Sequence, residues 1–468
     1  MLQFLFSVTI GLYLLSNIFT HVSLSYGISF LSLLIILLAF LKASRFIQIV
    51  SLIFLLLGNM MLIFSQATGE QYLLSFGPML NLLTLFALVP ILALPVKLGN
   101  YALRVQQEIQ KRIKKPGKLY MVTTSLSYIL SCFMNLATLP LVYYSIRPSL
   151  NLFPIHNKER FMSRAITHGF SMPLMWAPVT PIVGIVIEMN QVSWGEMLPI
   201  LIPLSLLGLG LAWLIGLWTA SKRHGPSHFK QGKYIANEIA ATAAQHNEKP
   251  GSLAHVVGAI LILLLSISIL EYVFAYSFPF LVSMLIIPFS LLWSIAIGKG
   301  KAFWRELRDH FSSQLLKIKD LFVVFLSAGF FISAVQISGV NETINALLIS
   351  LIALIGNKFF LILLPLIPFA LAFVGLHPAV ALALVAGVVN HEVLGVSPQL
   401  IVVALLGGAA TAFLMGPFNG TLGLMSSIVK KSPYQVSQWN FLFTVLFLAL
   451  LMVALVILEL LIKAKLIF

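Results

Sequence analysis

The chain has 468 residues, of which 59% are hydrophobic and only 9% are charged. This composition excludes an ordinary soluble globular protein, in which about a quarter of the residues are charged. The single cysteine, Cys132, excludes an internal disulfide and a cysteine-rich metal site. The net charge of +15 is explained by basic residues that gather in loops on one side of the membrane, as described below. No nucleic-acid partner is therefore expected.

Apolar runs recur along the chain, and each is long enough to cross a hydrocarbon core about 30 Å thick. The first run has no basic n-region and no cleavage site, so residues 1–22 are predicted to be a retained transmembrane helix rather than a signal peptide. Spans are predicted near residues 2–20, 23–41, 46–65, 73–96, 164–190, 195–219, 253–274, 278–298, 320–339, 399–429 and 437–462.

Two apolar runs are predicted to be re-entrant hairpins. Segment 97–118 mixes basic and apolar residues and predicts a helix on the cytoplasmic surface that binds anionic lipids, with a solvated loop as the alternative. Run 119–146 follows it and has basic residues on both sides, so it must enter the membrane and turn back. Residues 135–140 supply the polar and helix-breaking residues for that turn. Run 358–394 predicts a second hairpin, with two thin spans as the alternative.

The loops set the orientation. Linker 220–252 and the basic loop 299–319 are predicted to be cytoplasmic, whereas 341–357, with one acid and no base, is placed outside. All 29 basic residues except Lys358, Lys463 and Lys465 then fall on one side. We therefore predict a multi-pass protein of the cell inner membrane, with a cytoplasmic N-terminus and an extracytoplasmic C-terminus.

Three landmarks recur in the same order in the two halves of the chain. Segments 86–103 and 330–347 match at an offset of 244, the prolines Pro140 and Pro378 at 238, and segments 175–184 and 415–423 at 239. This favours a duplication over chance matches. The fold class predicted is an all-α polytopic membrane protein, with about 11 transmembrane helices and two re-entrant helical hairpins in two inverted-topology repeats, 23–219 and 253–468.

Prolines and glycines predict one interrupted helix in each repeat, over 164–190 and 399–429. Such breaks expose helix N-termini, which attract anions, and carbonyls that can coordinate a cation. We expect the hairpin tips to meet these breaks near the midplane, although the same residues also simply kink and pack membrane helices. The candidate substrate- or ion-binding residues are Asn135, Ala137, Thr138, Thr180, Gly184, Gly375, His377, Asn419, Thr421 and Gly423.

His377 is the ionisable residue predicted at membrane depth within the hairpins. It either binds substrate or a proton, or caps the broken backbone as a neutral group. No acid is predicted at the membrane centre, which disfavours a carboxylate proton relay and a membrane metalloprotease. Phosphate-binding loops and nucleophile elbows are also absent from the sequence. We therefore expect no enzyme, catalytic residue, resident metal or cofactor, apart from Na+ as a coupling ion.

Two repeats of five spans after one extra helix, each with a hairpin and a broken helix, resemble the ion transporter superfamily, especially the divalent anion:sodium symporters. The resemblance implies a Ser-Asn-Thr signature at each tip that binds sodium and a substrate carboxylate. The first tip, Asn135-Leu136-Ala137-Thr138, matches it in part, whereas the second, Gly375-Leu376-His377-Pro378, departs from it.

The leading functional hypothesis is a secondary active transporter of a small, anionic organic solute. Transport would be coupled to sodium or protons through alternating access of the hairpin domains. The expected partners are the solute and anionic lipids of the cytoplasmic face, and a homodimer is left open. An integral membrane enzyme acting on a lipid or lipid-linked substrate and a non-transporting membrane partner subunit are the alternatives.

Overall fold

The computed structural model describes residues 1–464 except 20, 100, 102–112, 114, 151–152, 154, 222–252 and 389–390. Over the described residues the chain is helical and contains no strand. Ten helices are long and apolar enough to cross a membrane, or eleven when the bent pair Val340–Ile355 and Asn357–Leu363 is counted as one span. The predicted class, an all-α polytopic membrane protein, is confirmed.

The first half contains one hairpin and one broken span. Its leading helices are Leu2–Ile18, Val22–Ala39, Arg45–Phe64, Gly69–Leu74, Leu80–Leu88 and Ala93–Leu98. The segment predicted as the first hairpin, and called by that name here, comprises Pro116–Met134, the turn Asn135–Ala137, here called the first tip, and Thr138–Leu150. By length and composition, Pro116–Leu150 also qualifies as one candidate membrane span of 35 residues. The first broken span comprises Lys158–Ser171 and Pro181–Met189, separated by residues 172–180, the first break. Trp194–Ser221 completes this half.

The second half follows a similar order. It opens with Leu253–Val273, Phe278–Ala296, Gly300–Ser312, Lys319–Ile337 and Val340–Ile355. The second hairpin comprises Asn357–Leu363, Leu366–Val374 and Pro378–Val388, with residues 375–377 as the second tip, and the short helix His391–Leu394 follows. The second broken span comprises Pro398–Met415 and Gly420–Val429, separated by residues 416–419, the second break. Pro433–Lys463 is the last helix.

Three sequence-based expectations change in the structure. The first predicted span, residues 2–20, is a shorter helix of 17 residues, Leu2–Ile18. Segment 341–357, expected to be an external connection, forms the helix Val340–Ile355, because its polar residues occupy the first turns and the remainder is apolar. The basic loop 299–319 contains the helix Gly300–Ser312, because Phe303, Leu307 and His310 recur at helical spacing on one buried face.

Two further expectations concern residues outside the described part of the chain. The surface helix predicted within 97–118 falls mostly there, and the linker 220–252 falls there almost entirely. The re-entrant paths of the hairpins and the sidedness of the termini stay predictions.

Long helices from opposite halves pair with one another. Arg45–Phe64 packs along Lys319–Ile337, and Leu80–Leu98 packs along Phe278–Ala296. At Gly58 the approach is so close that an added Cβ would lie 2.7 Å from the Phe330 ring. Small residues permit such close helix contacts in membranes, where van der Waals packing contributes strongly to association.

The hairpins and broken spans pack against each other in a crossed pattern. Thr138–Leu150, the second arm of the first hairpin, contacts Gly420–Val429 of the second broken span. Reciprocally, Pro378–Val388 of the second hairpin contacts Pro181–Met189 of the first broken span. Each hairpin also packs against the broken span of its own half, Pro116–Met134 along Lys158–Ser171 and Leu366–Val374 along Pro398–Met415. Each hairpin therefore contacts the interrupted helices of both halves.

Candidate solute-binding site

The first tip lies against the start of Gly420–Val429. Asn135 adopts φ 44° and ψ −131°, a positive-φ conformation outside the left-handed helical region that is strained for a residue other than glycine. The turn presents Leu136 and Ala137 as exposed side chains. A Cβ built on Gly420 would lie 3.6 Å from Leu136 Cδ1, so the Leu136 side chain lies beside this glycine with room for about one methyl group between them.

An open surface of small residues runs beside this contact. Gly420 and Gly423 are both exposed, and a Cβ on Gly423 would meet nothing within 4 Å. The two glycines are three residues apart and therefore share one helix face. Together with Asn135 and Ala137 they define what is here called the tip groove.

Two buried hydroxyls belong to the helices that flank the tip groove. Thr138 begins the second arm of the first hairpin, and Thr421 lies in the first turn of the opposing half-helix. Both Oγ1 atoms are buried and have no hydrogen-bond partner. Other buried hydroxyls of the chain, such as those of Ser283, Ser290 and Thr444, are also without a partner among the described residues. What sets Thr138 and Thr421 apart is that they lie on two helices that contact each other beside the tip groove.

The second break is closed by its own side chains. Asn419 Oδ1 accepts a hydrogen bond from the Leu422 N–H at 2.8 Å, which caps the second half-helix. A helix normally ends with four unpaired carbonyls. At the end of Pro398–Met415 all four carbonyls are bonded by side chains. Asn419 Nδ2 donates to the carbonyls of Ala412 and Phe413 at 2.9 and 3.2 Å. Asn440 Nδ2 donates to the Leu414 carbonyl at 2.9 Å, and Ser437 Oγ donates to the Met415 carbonyl at 2.7 Å. Asn419 is thus part of the wall of the break.

The first break is closed by a buried network around Trp176. Its Nε1–H donates to Tyr128 Oη at 3.0 Å and to Ser205 Oγ at 3.2 Å. The Ser205 hydroxyl donates in turn to the freed Met172 carbonyl at 3.0 Å. The carbonyl of Trp176 accepts from Trp194 Nε1 at 2.9 Å. Non-helical backbone at membrane depth requires protein partners of this kind.

Thr180 and Gly184 lie in the first broken span, apart from the contact between the first tip and Gly420. Thr180 is buried, and its carbonyl accepts from the Val183 N–H at 2.9 Å at the start of the second half-helix. A Cβ on Gly184 would lie 3.3 Å from both Leu85 and Pro279. Gly184 therefore serves close packing against two neighbouring helices.

The second tip is surrounded by aromatic rings. Gly375 adopts φ 101°, and a Cβ there would lie 2.8 Å from Phe46 Cζ. His377 Nδ1 accepts a hydrogen bond from the Ala379 N–H at 3.2 Å, so it caps Pro378–Val388 as an unprotonated acceptor. The imidazole meets three rings nearly edge to face, those of Phe86, Phe325 and Phe413, at centroid distances of 6.2, 6.5 and 6.2 Å. This geometry agrees with the capping alternative for His377.

Two carboxylates bond to groups that are distant in sequence. Glu188 lies within Pro181–Met189, where its Oε2 accepts from Asn81 Nδ2 at 2.7 Å. Glu271 accepts from the backbone N–H groups of Trp194 and Gly195 at 2.7 and 2.9 Å. It thereby binds the N-terminus of Trp194–Ser221, where a negative charge is favourable. Both partners are too distant in sequence for local patterns to reveal them.

No group of three or more His, Cys, Asp or Glu residues that could hold a metal occurs among the described residues. A cation at the tip groove would therefore depend on neutral oxygens, for which the hydroxyls of Thr138 and Thr421 are the available candidates.

Solved structures of two bacterial proteins share this fold. The YdaH transporter of Alcanivorax borkumensis matches with a TM-score of 0.61 at 14% identity, over 89% of this chain and 98% of that one. MtrF of Neisseria gonorrhoeae, described within a class of antimetabolite efflux pumps, matches with a TM-score of 0.58 at 12% identity, over 88% and 97%. At these identities the likeness establishes the fold alone. No protein-family profile matches the sequence, and no curated protein matches it either.

Proposed function

We propose that this protein is a secondary active transporter of a small, anionic organic solute. The observation that carries the proposal is the crossed packing of hairpins and broken spans, which brings the first tip against the second break. Interrupted helices facing each other in this way are typical of transporter binding sites. The fold likeness to the YdaH transporter and to an efflux-pump class member supports the same reading.

The tip groove is the proposed solute site. Its small residues allow a solute to approach the backbone closely. Gly420 begins a helix of 10 residues whose N-terminal dipole favours a negative group. The wall behind it is rigid because Asn419 bonds both half-helices.

The coupling ion in this proposal is sodium, with the proton as the competing candidate. The unpaired hydroxyls of Thr138 and Thr421 are neutral oxygen ligands of the kind a sodium ion uses at a helix break. Alternating access would move the hairpins and broken spans together against the paired helices Arg45–Phe64 and Lys319–Ile337.

The test is transport by the purified full chain in proteoliposomes. Uptake of a panel of radiolabelled carboxylates would be measured under an inward sodium gradient, an inward proton gradient and no gradient, with each gradient also reversed to detect export. We expect gradient-driven movement of at least one carboxylate, with sodium dependence lost in the double variant Thr138→Val and Thr421→Val.

A matched pair of glycine variants locates the site. Gly423→Phe should block transport by filling the tip groove, whereas Gly210→Phe should not. A Cβ at either position meets nothing within 4 Å, so neither change needs to disturb folding. Equal transport by both variants would contradict the proposed site, and no movement of any carboxylate under any gradient would contradict the function.

A further inference from the structure

The first half of the first broken span is a buried polar helix. All residues from 162 to 171 in Lys158–Ser171 are buried. The buried set nevertheless includes several polar side chains, namely Ser163, Arg164, Thr167, His168 and Ser171. Ionisable residues inside a membrane protein are costly and commonly mark functional sites.

Some of these polar groups are paired and others are not. Thr167 Oγ1 donates to the Ser163 carbonyl at 2.8 Å and to Asn440 Oδ1 at 3.1 Å. By contrast, Arg164 is 7% exposed and its Nε has no hydrogen-bond partner. Neither the Lys97–Glu306 nor the Lys463–Glu459 ion pair involves Arg164. The Nε atom of this largely buried guanidinium is thus unpaired among the described residues.

His168 supplies a second unpaired group on the same helix face. It lies four residues after Arg164, the spacing that brings side chains together. Its ring is fully buried, stacks on Phe443 at a centroid distance of 4.1 Å, and pairs its Nδ1 with Tyr120 Oη at 2.9 Å. The Nε2 atom makes no hydrogen bond of normal geometry among the described residues, and the side chain of Asn440 lies beside the imidazole.

The Tyr120 contact determines what His168 can offer. A Cβ on Gly216 would lie 2.2 Å from Tyr120 Cδ1, so the tyrosine ring is held directly over that glycine. When the Tyr120 hydroxyl donates to Nδ1, the imidazole proton resides on Nε2 and becomes a free donor. The fixed ring therefore orients His168.

We propose that Arg164 and His168 form a binding site for a small monovalent carboxylate. A guanidinium offers paired donors that match a carboxylate, the His168 Nε2–H adds another donor, and one negative charge balances the buried positive charge. Neither residue belongs to the tip groove, although Lys158–Ser171 packs against the first hairpin and against Gly420–Val429, which form it. The proposed carboxylate site goes beyond the proposed function and holds whether or not the tip groove carries a solute.

The test measures anion binding by the purified full chain in detergent. Thermal unfolding and titration calorimetry would compare sodium acetate and sodium benzoate with sodium chloride and sodium phosphate at equal sodium concentration. We expect a carboxylate to raise the unfolding midpoint, since a ligand bound to the folded state stabilises it. Chloride and phosphate should have little effect.

Variants assign the effect to this site. Arg164→Gln and His168→Phe should weaken carboxylate binding by about tenfold or more. Arg164→Lys, which keeps the charge but loses the paired donors, should bind with intermediate affinity. Arg160→Gln, at an exposed arginine on the same helix, is the matched control and should bind carboxylate as the natural chain does.

A second readout covers the case in which a variant folds poorly. Without carboxylate, Arg164→Met should unfold at the same or a higher temperature than the natural chain, because it removes an unpaired buried charge. A lower midpoint for Arg164→Met, together with no carboxylate effect on the natural chain, would overturn the proposal. Equal midpoint shifts from chloride or phosphate and from carboxylate would also overturn it.

Discussion

The indole of Trp176 donates a hydrogen bond to the hydroxyl of Tyr128 at 3.0 Å, which links the first break to the first hairpin. The Ser205 hydroxyl joins the pair, contacting Tyr128 at 3.0 Å and the Met172 carbonyl at 3.0 Å. One side chain therefore ties together three elements where the backbone leaves the helical path. This arrangement can be tested by removing a single donor.

Trp176→Phe should destabilise the fold by about 1–2 kcal/mol, because it deletes a buried donor while leaving Tyr128 and Ser205 bonded to each other. Unfolding in detergent mixtures of increasing SDS fraction would measure the loss. Trp304→Phe, at a side chain that is 55% exposed, is the control and should change little. Equal destabilisation by both variants would count against the network.

The donor and the acceptor of the Asn419 side-chain amide should contribute separately to the stability of the fold. Asn419→Ala leaves the Phe413 carbonyl and the Leu422 N–H unpaired, whereas the Ala412 carbonyl keeps its bond from the Gly416 N–H, and the variant should cost about 2–3 kcal/mol. Asn419→Ser keeps a capping acceptor for the Leu422 N–H but loses both donated bonds, so its cost should be intermediate. SDS titration measures both variants. The same loss in both would show that the helix cap contributes nothing, contrary to the geometry.

Gly169 marks the closest approach of the buried polar helix to the first hairpin. A Cβ there would lie 2.1 Å from the backbone oxygen of Thr124, and backbone cannot give way as a side-chain end can. Gly169→Ala should therefore cost about 3 kcal/mol or more, at the upper end of overpacking. Gly210→Ala, with nothing within 4 Å, should be neutral or stabilising, by about 0.5–1 kcal/mol. A thermal unfolding midpoint unchanged in Gly169→Ala would refute the close contact.

His310 should make stability depend on pH. The helix Gly300–Ser312 lies outside the candidate membrane spans, and His310 Nε2–H donates to the Ala87 carbonyl at 2.8 Å. Burial lowers the pKa of His310, although the bond to Ala87 and the charge of Asp309 act in the opposite direction.

The lowered pKa of His310 determines the direction in which folding stability changes with pH. The unfolded chain protonates this residue near pH 6.5 and the folded protein only at lower pH. The stabilising contribution is therefore complete above about pH 6.5 and is lost as the pH falls toward the folded pKa. Unfolding midpoints between about pH 5 and 8 should drop at the acid end in the natural chain. His310→Gln should flatten that dependence, and an unchanged pH profile would be evidence against it.

Hydropathy and segment length predicted the helical class and most of the spans, because crossing a bilayer is a local requirement on about 20 residues. The helix Val340–Ile355 was missed, because absent basic residues were taken as evidence of an external connection. Charge describes which side a segment occupies, and it does not determine whether that segment is helical.

The site was less predictable, because its decisive pairs are distant in sequence. Proline and glycine indicated where backbone groups would be freed, but not what would bond them. Asn440 reaches the Leu414 carbonyl from 26 residues away, and Trp176 reaches Tyr128 across 48. Arg164 was predicted at the start of a span on the cytoplasmic side, and no local pattern indicated that its side chain would be buried.

The saturated carbonyls of the second break have a mechanical consequence. Asn419, Ser437 and Asn440 already bond the carbonyls at the end of Pro398–Met415. The backbone at the second break is therefore ordered before a solute binds. Binding would then incur little conformational entropy at this wall, and loading and release would leave the break unchanged. Any motion that opens the tip groove to the opposite side of the membrane must therefore move the second break as one unit, with its hydrogen bonds intact.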